Sequence, residues 1–348
     1  MLLRRLLLLA SVLAVAAAIG AALAVRELGR RLDEPHRGYA APDVFVDIEA
    51  GDATRAIGRR LAAAGVVRDE LTFRAAVWRD GRGRELQAGE YRFDRPLSAM
   101  DVVDVIASGR VHLRPITFPE GLIIAEMADI FESAGFGTRD AFAAAAREVA
   151  LVADLDGEAA DLEGYLFPDT YALPRDATAG DLVRAMVAEF RRAFDADIRA
   201  AAGRRGLTVR ETVTLASLIE RETGSADEHA LVSAVFANRL RIGMLLQTDP
   251  TVIYALRRDG LYDGNLTRAN LRHDSPYNTY VYGGLPPGPI AAPGRAALAA
   301  VVAPADVSYL YFVSRNDGTH AFANTLREHN RNVREFQVEY FRRRRTGQ

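Results

Sequence analysis

The chain is 348 residues long, with a formal net charge of −2, 49% hydrophobic and 26% charged residues. That length holds about two to three domains, or one large domain with an appendage. The hydrophobic share excludes a disordered scaffold, and the balanced charge excludes the broad basic face of a nucleic-acid binder. There is no Cys, so disulfides, thiolate nucleophiles and Cys-ligated metals are excluded as well. Lys is absent too, which removes Schiff-base enzymes and pyridoxal-phosphate lyases.

From Leu6 to Val25 the chain runs twenty residues without a charge. At about 1.5 Å per residue this crosses the ~30 Å hydrocarbon core of a bilayer. A cleaved signal peptide is the rival reading, and the length of the run favours a retained anchor. Either way, the bulk of the chain is expected outside the cytoplasm. Residues 26–42 are polar, carry Pro35 and Pro42, and read as a linker. Val44 to Ile48 alternates like a strand, and Ile57 and Leu61 mark a helix stopped by Gly65. Gly89 to Phe93 reads as a second strand, followed by a helix capped by Ser98 and closed by Gly109. Strand, helix, strand, helix in so short a stretch suggests a small accessory α/β domain.

The remainder is mixed, which places the fold in the α+β class. Thr178 to Phe194 is helical, residues 262–294 are rich in Gly, Pro and Tyr, and Tyr309 to Val313 reads as a buried strand. Asn324 to Arg345 reads as a final helix with Leu326, Val333, Phe336, Val338 and Phe341 available for packing.

The six His show neither a His-Glu-x-x-His motif nor an i,i+4 pair, and there is no Gly-x-Ser-x-Gly elbow or Walker loop. The informative segment is LTVRETVTLASLIERETGS, Leu207 to Ser225. Thr208 and Glu211 fit a capping box, and Gly224 supplies a stop. Leu215, Leu218 and Ile219 share one helical stripe on which Glu222 follows, while Glu220 points roughly to the other side. Desolvation at the end of an apolar stripe raises a carboxyl pKa and keeps a proton available near neutral pH. Glu222 is therefore either a catalytic acid or a cap paired with an Arg such as Arg239. Gln247 and Asp249 precede Pro250 in a turn and can hydrogen-bond sugar hydroxyls or amides, or only build the turn. Tyr277, Asn278, Thr279 and Tyr280 lie beside Gly283, Gly284, Pro286 and Pro287 in a rigid aromatic loop of the kind sugar sites use. LEGYLFPDTYALP, Leu162 to Pro174, is a second such segment, with Glu163, Tyr165 and Asp169 as candidate contacts.

Taken together, LEGYLFPDTY, LASLIERETG, NRLRIGMLLQTDPTVIYAL, YNTYVYGGLPPGPIAAPG and YLYFVSRNDGTHAF…EHN closely resemble the endolytic murein transglycosylase (YceG-like) family, in order from about residue 44 to 341. The resemblance implies a cytoplasmic N-terminus (1–5), a transmembrane helix (6–25), a linker (26–43), a LysM-like subdomain (44–112) and a catalytic domain (113–345). It implies a single-pass inner-membrane protein with its catalytic domain in the periplasm, without cofactor or metal. Its substrate would be peptidoglycan, cut between N-acetylmuramic acid and N-acetylglucosamine without water, with peptidoglycan synthases (penicillin-binding proteins) as partners. The family's catalytic glutamate, the one followed by Thr in Ile-Glu-x-Glu-Thr, falls on Glu222. A lone Glu222 would protonate the leaving oxygen and then, as carboxylate, take the proton of the substrate's C6 hydroxyl, leaving a 1,6-anhydro end. Hydrolytic glycosidases usually need two carboxylates. Glu163 would be a second, orienting acid, or a salt-bridge partner under the Tyr165–Tyr171 loop. Gln247, Asp249, Tyr277, Asn278 and Thr279 would contact substrate.

Overall fold

The computed structural model describes the chain from Leu2 to Thr346. Side chains of residues 1–8, 10, 343 and 345–348 lie outside the described residues, and with them the segment 1–5 expected in the cytoplasm. Contacts divide the chain into two units, residues 1–114 with 172–176, and residues 115–171 with 177–348.

The first unit opens with a 32-residue helix, α1 (Leu2–Asp33). Its stretch Ser11–Asp33 is long and apolar enough to cross a membrane. The helix runs on through residues 26–33, where the sequence predicts linker. Arg30 bonds Glu27 and Glu34, and Arg31 bonds Glu27, at three- and four-residue spacing that supports a helix. The helix ends two residues before Pro35, whose ring disfavours helix in the residue ahead of it.

Strand β1 (Val44–Ile48) leads to α2 (Thr54–Ala63), α3 (Glu70–Asp80), β2 (Gly89–Phe93) and α4 (Ala99–Ala107). The strands pair antiparallel with Val46 opposite Tyr91, and the inward residues Val46, Ile48, Tyr91 and Phe93 are all buried. Ile57, Leu61, Phe73, Val102 and Ile106 pack with them, joined by Leu32 of α1. α4 carries the expected cap as a full capping box between Ser98 and Asp101. The sequence reading lacks α3. That helix buries Phe73 and Val77 but leaves Leu71 and Trp78 exposed, so its apolar residues mark no single stripe.

The second unit is helical with small two-stranded sheets. Strand β3 (Arg114–Thr117) is followed by α5 (Ile124–Ser133), α6 (Arg139–Ala145), β4 (Thr170–Leu173), α7 (Ala179–Ala193), α8 (Ala196–Arg204), α9 (Val209–Glu222), α10 (Ala226–Arg241), α11 (Asp249–Arg258) and α12 (Arg295–Val302). Strands β5 (Tyr311–Ser314) and β6 (His320–Ala323) form a hairpin before α13 (Leu326–Val333), a π-turn and α14 (Tyr340–Thr346). β3 pairs with β4, and β5 with β6.

Helix α9 is the centre of this unit. Every residue from Thr212 to Ile219 is buried, and α8, α10, α11 and α12 pack around it. The sequence shows one apolar stripe; the other faces are closed by small or singly polar residues. Ser217, for example, donates to the Thr214 carbonyl and accepts the backbone N–H of Ile290. Thr208 and Glu211 form the expected capping box. The helix stops at Glu222 because Thr223 turns extended (φ −143°), one residue before the predicted glycine stop.

Two expectations for the C-terminal part change. The strand expected at Tyr309–Val313 is half-buried and starts at Tyr311, since it belongs to a two-stranded hairpin with one open side. The final helix is broken by the π-turn at Arg334–Glu339, and Leu326, Val338 and Phe341 are exposed. No residue of α13 is fully buried, because that helix lies over the edge of the hairpin and not in the core.

Thr208→Ala removes the side-chain half of the α9 cap. It should lower the stability of the second unit by about 1 kcal/mol, read as a lower midpoint in urea denaturation at unchanged slope.

Candidate active site

Glu222 is the last residue of α9, at the end where helix carbonyls concentrate partial negative charge. It faces a cavity of about 390 Å³ lined also by Arg239, Gln247, Asp249, Tyr280, Tyr311, His320 and His329. Thr248 Oγ1 donates to Glu222 Oε1. Burial pushes the Glu222 carboxyl up to about 7. The Thr248 bond opposes the shift, the Asp249 charge adds to it, and the charges of His320 and Arg239 oppose it. The outcome is an acid half protonated near neutral pH beside open space.

Thr248 is itself held in place. Its backbone N–H donates to Thr279 Oγ1 at 3.1 Å, and Thr251 Oγ1 lies 2.9 Å from the same oxygen. Gln247, next to it, has a φ of +47°, a left-handed conformation rare for a side chain of its size. The Gln247 N–H is satisfied by the Thr279 carbonyl at 3.1 Å. Thr279 is buried and so acts through Thr248 and Gln247. Asp249 starts α11 at the rim of the cavity and accepts from the Tyr280 hydroxyl at 2.6 Å.

Arg239 does not form the ion pair with Glu222 that the capping alternative requires. Its Nε donates to the Leu310 carbonyl at 2.7 Å and its Nη1 to the Leu246 carbonyl at 2.6 Å. It also lies 5.4 Å from the Tyr311 ring centroid. The guanidinium thus braces the loops around the cavity and contributes a long-range charge. Glu220 points to the opposite side, where its Oε2 accepts the Gly294 N–H at 2.9 Å.

The other sequence candidates divide. Glu163 does not share the Glu222 cavity. It borders a second one, of about 640 Å³, with Ile124, Tyr254 and Arg258. There it accepts the Ile124 N–H at 3.2 Å and the Tyr254 hydroxyl at 3.3 Å, and burial, with the charge of Asp161, pushes it up to about 8. It forms no salt bridge within 4 Å among the described residues, so the ion-pair alternative is not what holds it. Tyr277 packs on Tyr254 with ring centroids 5.0 Å apart and bonds Arg258, which puts it with Glu163. Tyr165 is a core residue, bonded to Asp156 at 2.7 Å and set edge-on to Phe190. Asp169 is exposed beside β4, where its carboxylate accepts the Thr170 N–H. Asn278 is fully buried and ties its loop together through the Leu271 and His273 carbonyls.

Sequence spacing does not single out Tyr311, His320 and His329 as cavity residues. They lie in the YLYFVSRNDGTHAF…EHN segment, but no local pattern links them to Glu222, almost a hundred residues away. His329 stacks on Tyr311 at 5.2 Å, and burial holds its pKa below the usual range.

Fold and site together define a mixed α+β protein whose central helix delivers one protonatable glutamate to a polar, aromatic cavity. The YceG-like family model matches residues 46–335, and the chain belongs to that family. The endolytic murein transglycosylase of Bacillus subtilis (strain 168) is 32% identical in a 320-residue alignment that covers 87% of this chain and 87% of that one. The endolytic murein transglycosylase of Streptococcus pneumoniae (strain D39) is 29% identical over 84% of this chain and 58% of its own length. The crystal structure of a YceG-like protein from Listeria monocytogenes matches with a TM-score of 0.58 at 28% identity, over 84% of this chain and 99% of that one.

The raised pKa of Glu222 makes a stability prediction independent of activity. Between its ordinary 4.5 and about 7, the folded protein keeps a proton that the unfolded chain releases. Stability contributed by this group is therefore lost as pH rises through that window. Glu222→Gln cannot ionise, so it should match wild type below pH 4.5 and exceed it by about 1–3 kcal/mol above pH 7. Urea denaturation across pH 4–8 reads the difference, and a constant offset would contradict the shift.

Proposed function

We propose that this chain is a peptidoglycan lytic transglycosylase that cuts within glycan strands, with Glu222 as the general acid. The supporting observation is a single half-protonated carboxyl that faces a cavity lined by Tyr, Gln and His side chains. The family and its relatives, both endolytic murein transglycosylases, supply the substrate class.

In this reading the Glu222 carboxyl protonates the glycosidic oxygen between N-acetylmuramic acid and N-acetylglucosamine. The muramyl C6 hydroxyl attacks the anomeric carbon, so the new end is 1,6-anhydro and no water is consumed. The carboxylate left on Glu222 is then a base able to accept the hydroxyl proton. Gln247, Asp249 and Tyr280 border the cavity and are the nearest candidates for holding sugar amides and hydroxyls. Thr279 positions them from below through Thr248 and Gln247. Glu163, in the second cavity, and Tyr277, packed on its Tyr254 and Arg258, would meet a more distant part of the strand.

A second reading has a specific observation behind it. Asp249 is a second carboxylate on the same cavity, and a hydrolase needs two. Its oxygen is already engaged by the Tyr280 hydroxyl at 2.6 Å, which favours a binding role.

The apolar helix α1 supports an inner-membrane anchor with the second unit in the periplasm. The strand–helix–helix–strand order of residues 44–93 supports a LysM-like, glycan-binding role for the first unit. An enzyme tethered where strands emerge would end their elongation beside the peptidoglycan synthases. Recovery of such synthases on crosslinking and co-purification of the full-length chain is the expected result.

Mass spectrometry of glycan strands digested by wild type and Glu222→Gln tests the reading. Wild type should yield 1,6-anhydro ends, and the variant should lose about a hundred- to ten-thousand-fold in rate while still binding strands. Hydrated reducing ends would establish the hydrolase instead, and full activity of the variant would remove Glu222 from the chemistry.

A further inference from the structure

One arrangement beside Glu222 has no part in the single-residue cycle. Thr223, the next residue, donates from Oγ1 to Glu228 Oε2 at 3.2 Å. The same Glu228 oxygen lies 2.7 Å from His320 Nδ1, and Glu228 Oε1 accepts the His320 backbone N–H at 2.8 Å. One carboxylate therefore fixes both the backbone and the ring of His320, and its other bond ties it to the end of α9. Phe312 closes one side of the ring, edge-on at 5.4 Å.

The bond at Nδ1 determines what the ring offers. With the Nδ1 proton directed at a carboxylate, the neutral imidazole carries its lone pair on Nε2. No protein group among the described residues bonds Nε2, and the His320 side chain, 12% exposed, borders the Glu222 cavity. A purely structural ion pair would account for Glu228 and His320 alone. It gives no reason for the anchor to reach back to the residue following Glu222, nor for the ring to border the same cavity. His320 is also close enough that its positive charge would lower the Glu222 pKa.

We propose that His320, held by Glu228 and Thr223, is the general base that takes the C6 hydroxyl proton while Glu222 protonates the leaving oxygen. This rests on the transglycosylase reading and divides its chemistry between two residues. The bond from the muramyl anomeric carbon to the leaving oxygen breaks, and its electron pair takes the Glu222 proton. The C6 oxygen bonds to the anomeric carbon and releases its proton to His320 Nε2. Glu222 ends as carboxylate and His320 as imidazolium. Transfer of that proton from His320 to Glu222 restores both, so nothing is consumed. Glu228 and Thr223 are positioning residues: the carboxylate aims the ring and stabilises the imidazolium that forms.

Separate variants distinguish acid from base. A murein oligosaccharide with a 4-nitrophenyl group on its terminal muramyl anomeric carbon has a leaving group that needs no proton. Glu222→Gln should lose most of its rate on natural strands and recover much of it on this glycoside. His320→Gln should stay about a hundred- to ten-thousand-fold down on both. Glu228→Gln should lower kcat on both with KM unchanged, and it decides the same question if His320→Gln does not fold. A near-wild-type rate for His320→Gln or Glu228→Gln on natural strands overturns the proposal. So does recovery of His320→Gln on the glycoside with Glu222→Gln inactive on both, which assigns both steps to Glu222. Absence of anhydro ends from wild type is a different result, and it sinks the transglycosylase reading itself.

Discussion

A carboxylic acid at the end of a buried helix is the constraint around which the second unit is arranged. Moving an ionised carboxylate out of water costs several kcal/mol unless it is paired or keeps its proton. Among the described residues Glu222 has neither a cation within bonding distance nor a set of backbone N–H donors; its protein partner is the Thr248 hydroxyl. The fold therefore leaves it the option of holding a proton. That option is the one the proposed role of Glu222 as general acid requires.

The surrounding polar groups are engaged elsewhere, which keeps Glu222 this way. Arg239 is buried close enough to neutralise it, yet its donors go to the carbonyls of Leu246 and Leu310. Glu228 takes the Thr223 hydroxyl and His320 for itself. The Thr251 and Thr279 hydroxyls bond each other and Thr279 Oγ1 accepts the Thr248 N–H, so the turn that carries Thr248 is held without adding charge. Rigidity matters because an acid must lie within hydrogen-bond reach of the oxygen it protonates. Building the cavity from a helix end and an anchored turn gives that precision better than a free loop would.

Much of this was legible in local periodicity. The Thr208–Glu211 box, the stripe of Leu215, Leu218 and Ile219 and the opposite facing of Glu220 and Glu222 all follow from 3.6 residues per turn, and the structure has each of them. The small α/β unit was legible for the same reason, apart from α3, whose apolar residues cover several faces. The aromatic loop was harder to read. Tyr277, Asn278, Thr279 and Tyr280 are consecutive, yet Tyr277 packs on Tyr254 and Arg258, Asn278 and Thr279 turn inward, and Tyr280 reaches the Glu222 cavity. An irregular backbone has no period from which such directions can be inferred. His320 and Glu228 are 92 residues apart, and a contact at that separation leaves no trace in local spacing.

The two glutamates with raised pKa values show why such a shift alone does not identify an acid catalyst. Glu163 is pushed up at least as far as Glu222. Both border cavities, near opposite ends of α11, a helix about 15 Å long. They differ in what their oxygens already do. Glu163 accepts the first N–H of α5, which that helix's own cap residue, Ile123, has no side-chain oxygen to satisfy, and it accepts the Tyr254 hydroxyl as well. Moving it out of place would leave a helix end unsatisfied, so its burial is explained by the α5 terminus. Glu222 caps nothing: its own helix ends there, and the side chain projects past the last turn into open space. Of two acids with similarly raised pKa values, Glu222 has fewer of its oxygens' bonding positions taken, which leaves it more open to a ligand.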